Sequence, residues 1–436
     1  MIGRWGGAAA WRWRLVVALL AGVLLVQAAC GQQSIASLNR LDVGGAPGAG
    51  AQTLALERQA QAQMAYSRQH LLYLRAANWY LAHLSLDDQI GQMIMNEMDG
   101  TVYSPDMAIM VAQQHIGGMI VFGDNYGTLD QTKLLFSNIQ QNAPIPLFIA
   151  TDQEGGGITR ISQYYGSFPA PCDLGATNNP QQAYDWGKTT ALDLQALGIN
   201  TNFAPVVDVS VNGGEPWSAT RTYNGCIGGT PVDGAKLVAT FALASMNGQR
   251  SVGEITALKH FPGLGRLAND QDPHVALYPV NVSLDELQQS DLYPYQALIA
   301  DHPDMVMATD VLDPQVDPVL PGEISPTWIT TILRQRMGYQ GVIVTDALWM
   351  HGLDAWGSLG QRAVLSVEAG CDLMIAAYNS GASQGVIDAL KGAVASGQIS
   401  QERITESVRR ILTLKVEYGM LPIPPQVLAG QPLVAA

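Results

Sequence analysis

Basic residues are scarce in this chain. Lys and Arg together number 23 against 37 Asp and Glu, only six of them lysine, and the net charge is −14. No basic stripe breaks that balance, which excludes nucleic acid as a partner. Charge of either sign is thin, at 14% of residues against roughly 25% in an average globular protein. With 47% hydrophobic residues, the chain has a large core to bury and is not disordered. Cysteine is rarer still, four in 436 residues, with no CxxC and no Cys/His spacing of the zinc-binding kind. HExxH, the P-loop and the dinucleotide fingerprint are missing, and "GLG" at 263–265 is too short to stand for one. No metal and no cofactor are expected.

What is present is a repeated pattern. After a Gly-, Ala- and Gln-rich stretch to about Thr53, which reads as a flexible tether, helical character runs to His83. Short apolar runs then alternate with longer amphipathic stretches: "QMIMN" (92–96), "GMIVF" (118–122), "PLFIATD" (146–152), "TNFAPVVD" (201–208), "ITALKH" (255–260), "MVMATD" (305–310), "GVIVTD" (341–346) and "DLMIAAY" (372–378). Continuous apolar runs between helices imply parallel strands buried on both faces. Eight of them predict an α/β fold, a closed (β/α)8 barrel of the TIM type in a single catalytic domain, with a doubly wound open sheet as the alternative.

Several runs end in an ionisable residue: Asp152, Asp208, Lys259 with His260, Asp310 and Asp346. In a barrel those ends converge on the face that carries the active site. The stretch "KHFPGLGRLANDQDPH" (259–274) hangs from the end of the fifth run, and Gly263 and Gly265 are expected to let it move. Asp208 reads equally well as a strand-end turn residue. Carboxylates facing one another across a pocket suit glycosidic bond cleavage, and Asp152, Arg160 and Lys259 suit sugar hydroxyls.

Four motifs in order, "ATDQEGG" (150–156), "NFAPVVDV" (202–209), "KHFPGLG" (259–265) and "GVIVTDALWM" (341–350), resemble glycoside hydrolase family 3, in its single-domain β-N-acetylhexosaminidase branch. "IGGMIVF" (116–122) and "ITESVRRILTLK" (404–415) are similar to the family as well, so the resemblance spans roughly 85–420. It implies a retaining enzyme that removes terminal β-linked N-acetylglucosamine from cell-wall fragments or related glycans. It places the nucleophile on Asp346 and the acid/base on an Asp–His pair, Asp272 with His274. Sugar binding falls on Asp152, Arg160, Arg221, Lys259 and His260. Asp270 competes with Asp272, because the loop is two residues longer than the family's usual form. Gly157 stands where the family usually has arginine, and Asp310 where a histidine is usual.

Arg4, Arg12 and Arg14, the apolar run 15–26 and "QAAC" ending at Cys30 have the order of a secretory signal. The run falls short of the roughly twenty residues of a spanning helix. Cys30 after two alanines resembles a bacterial lipoprotein site, although Gln27 stands where leucine is usual. The expected organisation is a signal peptide over 1–29, a tether over 30–54, the barrel over 55–420 and a tail over 421–436. A carbohydrate substrate and a membrane reached through an N-terminal lipid are the expected partners. In an oxidising compartment Cys172 and Cys226 could pair, and Cys371 reads as core. Three other readings stay open: a β-glucosidase-like or phosphorolytic enzyme on the same barrel, a non-catalytic sugar-binding lipoprotein, and a Schiff-base aldolase using Lys259.

Overall fold

The computed structural model describes residues 66–211, 219–268 and 271–431. The signal, the tether, Cys30 and Asp270 lie outside the described residues. Eight parallel strands close into one barrel in chain order: β1 (Ile94–Asn96), β2 (Gly118–Val121), β3 (Phe148–Thr151), β4 (Thr201–Asn202), β5 (Ile255–Phe261), β6 (Met305–Ala308), β7 (Val342–Ala347) and β8 (Leu373–Ala377). Pairing of Ile94 with Met374 and of Met95 with Ile375 joins the last strand to the first. Each apolar run supplies one strand, and closure excludes the open sheet.

The strands are buried along their whole length, except that β7 becomes half-buried at Asp346 and Ala347. That is the pattern of strands covered by helices outside and by side chains inside. The returning helices begin on residues that satisfy a free backbone N–H of the first turn. Ser104, Thr128, Thr230, Ser358, Asn379 and Ser400 each accept one. At the barrel's N-terminal end the helix Gln401–Glu417 sends Lys415 inward, where Nζ donates to Gln92 Oε1 (2.7 Å) and Gly117 O (3.0 Å). Burial pushes this amine down to about 7.

The fourth strand is shorter than its apolar run. It stops at Asn202, because Pro205 has no N–H to give to a ladder, and contact resumes only as a single bridge between Val206 and Lys259. Cys172 and Cys226 form a disulfide with their Cα atoms 5.3 Å apart, and Cys371 is buried. Among the described residues no helix is long and apolar enough to cross a membrane.

Candidate active site

The C-terminal ends of β3 and β5 bring a buried charge cluster together. Lys259, pointing in from β5, donates to Asp152 Oδ1 at 2.6 Å and lies 2.7 Å from Glu154 Oε1. Arg221, on the segment after β4, grips both oxygens of Glu154, at 2.8 and 2.7 Å. Arg160 is looser, 3.9 Å from Asp152 Oδ2, with its guanidinium over the Phe122 ring. Burial alone would push Glu154 up, yet Arg221 and Lys259 hold it far below the usual carboxylate range. Burial opposes the charge on Lys259 too, but Asp152 and Glu154 hold its amine above the ordinary value. A Schiff-base nucleophile must be a neutral amine. Lys259 is ion-paired to two carboxylates, an arrangement that favours the charged amine and speaks against the aldolase reading.

His260 sits beside this cluster, its Nε2 3.3 Å from Arg221. Its Nδ1 faces Asp208 Oδ2 at 2.7 Å, so Asp208 is the group that orients the ring. Gly265 is seated against the backbone of Val209, where an added Cβ would lie 2.0 Å from the carbonyl oxygen. Arg266 is fastened to Asp291 (2.9 Å) and Glu286 (3.0 Å). The first half of the β5 loop is therefore anchored, contrary to the expectation that its glycines give it room. Gly265 is needed for close packing at that point.

Beyond that anchor the loop carries Asp272 and His274. Asp272 Oδ1 accepts from the His274 amide at 2.9 Å and faces its Nδ1 at 2.7 Å, leaving Nε2 free of this pair. Both side chains are exposed, 45% and 61%. Burial is the largest single influence and raises Asp272, but the His274 amide and imidazole together hold it below its usual value, with a smaller contribution from the Arg221 charge. The loop crosses to the β7 side, where His351 donates its N–H to the His274 carbonyl at 3.3 Å.

Asp346, near the end of β7, is fixed by two donors. Thr309 Oγ reaches its Oδ2 at 3.0 Å, and the Ala347 amide reaches Oδ1 at 2.8 Å. Asp310 and Glu323 lie alongside, both buried. Burial first, then the Asp346 charge, raises Asp310 well above the carboxylate range; burial, Asp310 and Asp346 raise Glu323 likewise. The site thus joins one strongly paired ionic cluster to a set of acids in which two favour the neutral form. Groups of this kind can bind a polyol and handle protons at one carbon.

The comparisons with known proteins agree with that chemistry. Residues 85–414 match the model of the glycosyl hydrolase family 3 N terminal domain. The chain belongs to glycosyl hydrolase family 3. A β-hexosaminidase of Stenotrophomonas maltophilia is 32% identical over 292 residues, 66% of this chain and 83% of that protein. An uncharacterized secreted glycosyl hydrolase of Arthroderma benhamiae is 29% identical over 339 residues, 76% of this chain and 94% of the relative. Among solved structures, a glycoside hydrolase family 3 β-N-acetylglucosaminidase from Paenibacillus sp. superposes with a TM-score of 0.72 at 37% identity, over 77% of this chain. The chain spans 63% of that solved protein's length. As a family 3 member it is a glycoside hydrolase, and its substrate is a carbohydrate.

Asp152, Arg160, Arg221, Lys259 and His260 are joined through contacts with one another or with Glu154, and Asp272 with His274 forms a pair of its own. Three neighbours were missed. Glu154 lies inside the quoted "ATDQEGG", and its signal was an acid two places past a strand-end aspartate. Thr309 had only its position before Asp310, and Glu323 no local signal at all.

Proposed function

We propose that this family 3 hydrolase is an exported, retaining β-N-acetylhexosaminidase acting on terminal β-linked N-acetylglucosamine in cell-wall fragments or related glycans. The observation that carries the reading is the Asp272–His274 pair, in which Asp272 faces Nδ1 and leaves Nε2 for a leaving group, on a loop that reaches His351 in the segment after the strand holding Asp346. The β-hexosaminidase and β-N-acetylglucosaminidase relatives support the sugar.

The terminal sugar lies against Asp152, Arg160 and Lys259, with Arg221 and His260 beside them. Asp346 attacks the anomeric carbon as His274 delivers its Nε2 proton to the glycosidic oxygen. The carbon–oxygen bond breaks, the aglycone leaves as an alcohol, and a glycosyl ester forms on Asp346. Water then gives a proton back to His274 as its oxygen takes the anomeric carbon, and Asp346 is released with configuration retained. Asp272 fixes the tautomer and supports the imidazolium.

A 2-fluoro glycoside should trap the ester, and peptide mapping should find it on Asp346. Labelling elsewhere, or inverted product by NMR, sinks the assignment. Nitrophenyl N-acetylglucosaminide turned over no better than the glucoside would reject the sugar. Export, supported by the secreted relative, and a lipid on Cys30 belong to the same reading. Intact mass of the membrane-extracted protein decides them, and a retained Met1 or an unmodified Cys30 would rule out the anchor.

A further inference from the structure

Thr309 poses a counting problem beside Asp346. Its hydroxyl lies 3.0 Å from Asp346 Oδ2 and 3.4 Å from Asp310 Oδ1. A hydroxyl carries one hydrogen and can donate to one carboxylate at a time. With that hydrogen spent on the closer partner, Asp346, the contact with Asp310 is a hydrogen bond only if Asp310 supplies the proton.

Burial and the neighbouring carboxylates favour the neutral form of Asp310, and outweigh its own backbone N–H and the Thr309 contact, which favour the charged one. Its Oδ2 is buried and has no hydrogen-bond partner among the described residues. Glu323, fully buried on the segment after β6, also leaves both carboxyl oxygens unpartnered. The nearby Asp346 backbone N–H, short of a hydrogen bond, favours its charged form less than burial and the two aspartates oppose it. The charged and titratable groups felt by Asp310 are Asp346 from β7 and Asp272 from the β5 loop, both acidic. Glu323 in turn feels Asp310 and Asp346, with Arg362 as the smallest influence. From the β7 loop comes Gly352, where a Cβ would lie 1.8 Å from Asp310 Oδ2 and 3.5 Å from Pro273 O. That glycine lets the two loops close over the acid and keep water from it.

We propose that Asp310 is a positioning residue for the nucleophile: held as a neutral acid, it donates to Thr309 Oγ, whose own proton is thereby committed to Asp346. The chain runs from the Asp310 hydroxyl to Thr309 Oγ, and from the Thr309 hydroxyl to Asp346 Oδ2. No proton is transferred along it. It fixes the plane of the Asp346 carboxylate and, of the two aspartates that meet Thr309, leaves the negative charge on the attacking one. Burial and the neighbouring carboxylates keep Asp310 protonated below its raised pKa, so the arrangement fails as pH rises through that value. Two ionised acids then contend for one hydroxyl proton. The inference rests on Asp346 being the nucleophile.

The kinetic test uses a nitrophenyl glycoside, whose leaving group has no need of the His274 proton. Asp310→Asn is neutral at every pH and still a donor. It should exceed Asp310→Ala in kcat by about tenfold and lack the wild-type alkaline limb. Equal losses in the two variants, or an alkaline limb unchanged in Asp310→Asn, would overturn the proposal. A second measurement needs no turnover. In protein carrying 13C-carboxyl aspartate, the signal missing from Asp310→Asn should be that of a neutral carboxyl at pH 7 in the wild type. If the variant does not fold, a wild-type spectrum with no neutral aspartate at that pH overturns the proposal equally. Fluoroglycoside labelling away from Asp346 would instead reject the nucleophile and leave the carboxyl spectrum unchanged, so the two failures are distinguishable.

Discussion

Asp208 holds His260 at two points, its Oδ2 2.7 Å from the ring Nδ1 and its Oδ1 accepting the backbone N–H at 3.1 Å. Oδ1 also accepts the Leu264 amide at 2.9 Å, so one carboxylate ties the strand end to the start of the β5 loop. Burial opposes its charge, but the imidazole and these donors hold Asp208 below its ordinary value.

Asp208→Asn should therefore disturb binding more than chemistry. An amide can match only some of those contacts and turns the wrong group toward Nδ1. Losing one charge-assisted hydrogen bond, about 1.5–3 kcal/mol, should raise KM about tenfold or more. Isothermal titration with N-acetylglucosamine checks it. Unchanged affinity would mean that His260 does not touch the sugar.

Glu154 is the joint of the cluster, and its loss takes from Arg221 the carboxylate it grips and from Lys259 one of its two carboxylates. Breaking a buried pair by removing one partner costs about 3–5 kcal/mol, and Glu154→Ala should lower stability by an amount of that order. The pH sign follows from its depressed folded pKa. Its contribution is complete above the ordinary value of 4.5 and is lost as pH falls through the lower folded value. The gap in denaturant midpoint between wild type and Glu154→Ala should thus narrow in acid. A gap that stays constant with pH would show that the pairing does not stabilise the fold.

The Cys172–Cys226 disulfide spans 54 residues, and that loop includes Arg221. Closing a loop of this length in the unfolded chain is worth about 4 kcal/mol by chain entropy. The Cys172→Ser, Cys226→Ser double variant should lose stability of that order. With Arg221 less firmly placed, KM should rise more than kcat falls. Thermal melts and initial rates with and without reductant test both parts.

The barrel was legible because parallel strands covered on both faces must be continuous in apolar residues, and eight such runs leave few other folds. The residues that contact one another were legible in part because Asp152, Lys259 and Asp346 stand at run ends, where a barrel converges. Glu154 was not, since nothing local says that a side chain three places past the strand turns inward. The anchoring of Gly265 was also hidden, because its cause is the Val209 carbonyl, 56 positions away in the chain. Thr309 and Glu323 matter only through what β7 places beside them. Such pairings belong to tertiary packing, which periodicity cannot report.

The exposed Asp272–His274 pair yields the sharpest prediction. A general acid matters in proportion to how badly the leaving oxygen needs a proton. A sugar alkoxide needs it, whereas a nitrophenolate does not. His274→Ala should therefore cost about 100-fold or more on a natural disaccharide and far less on a nitrophenyl glycoside, where the first step survives without the acid. Asp272→Asn should be milder, because the ring remains and only its support weakens. The contrast between substrates is the decisive measurement, since a merely misfolded variant would lose both activities together. If Asp270 variants show the contrast and His274 variants do not, the acid/base pair has been assigned to the wrong residues. If neither shows it, the loop is a cover over the mouth and the acid lies elsewhere, with Asp310 the next group to substitute.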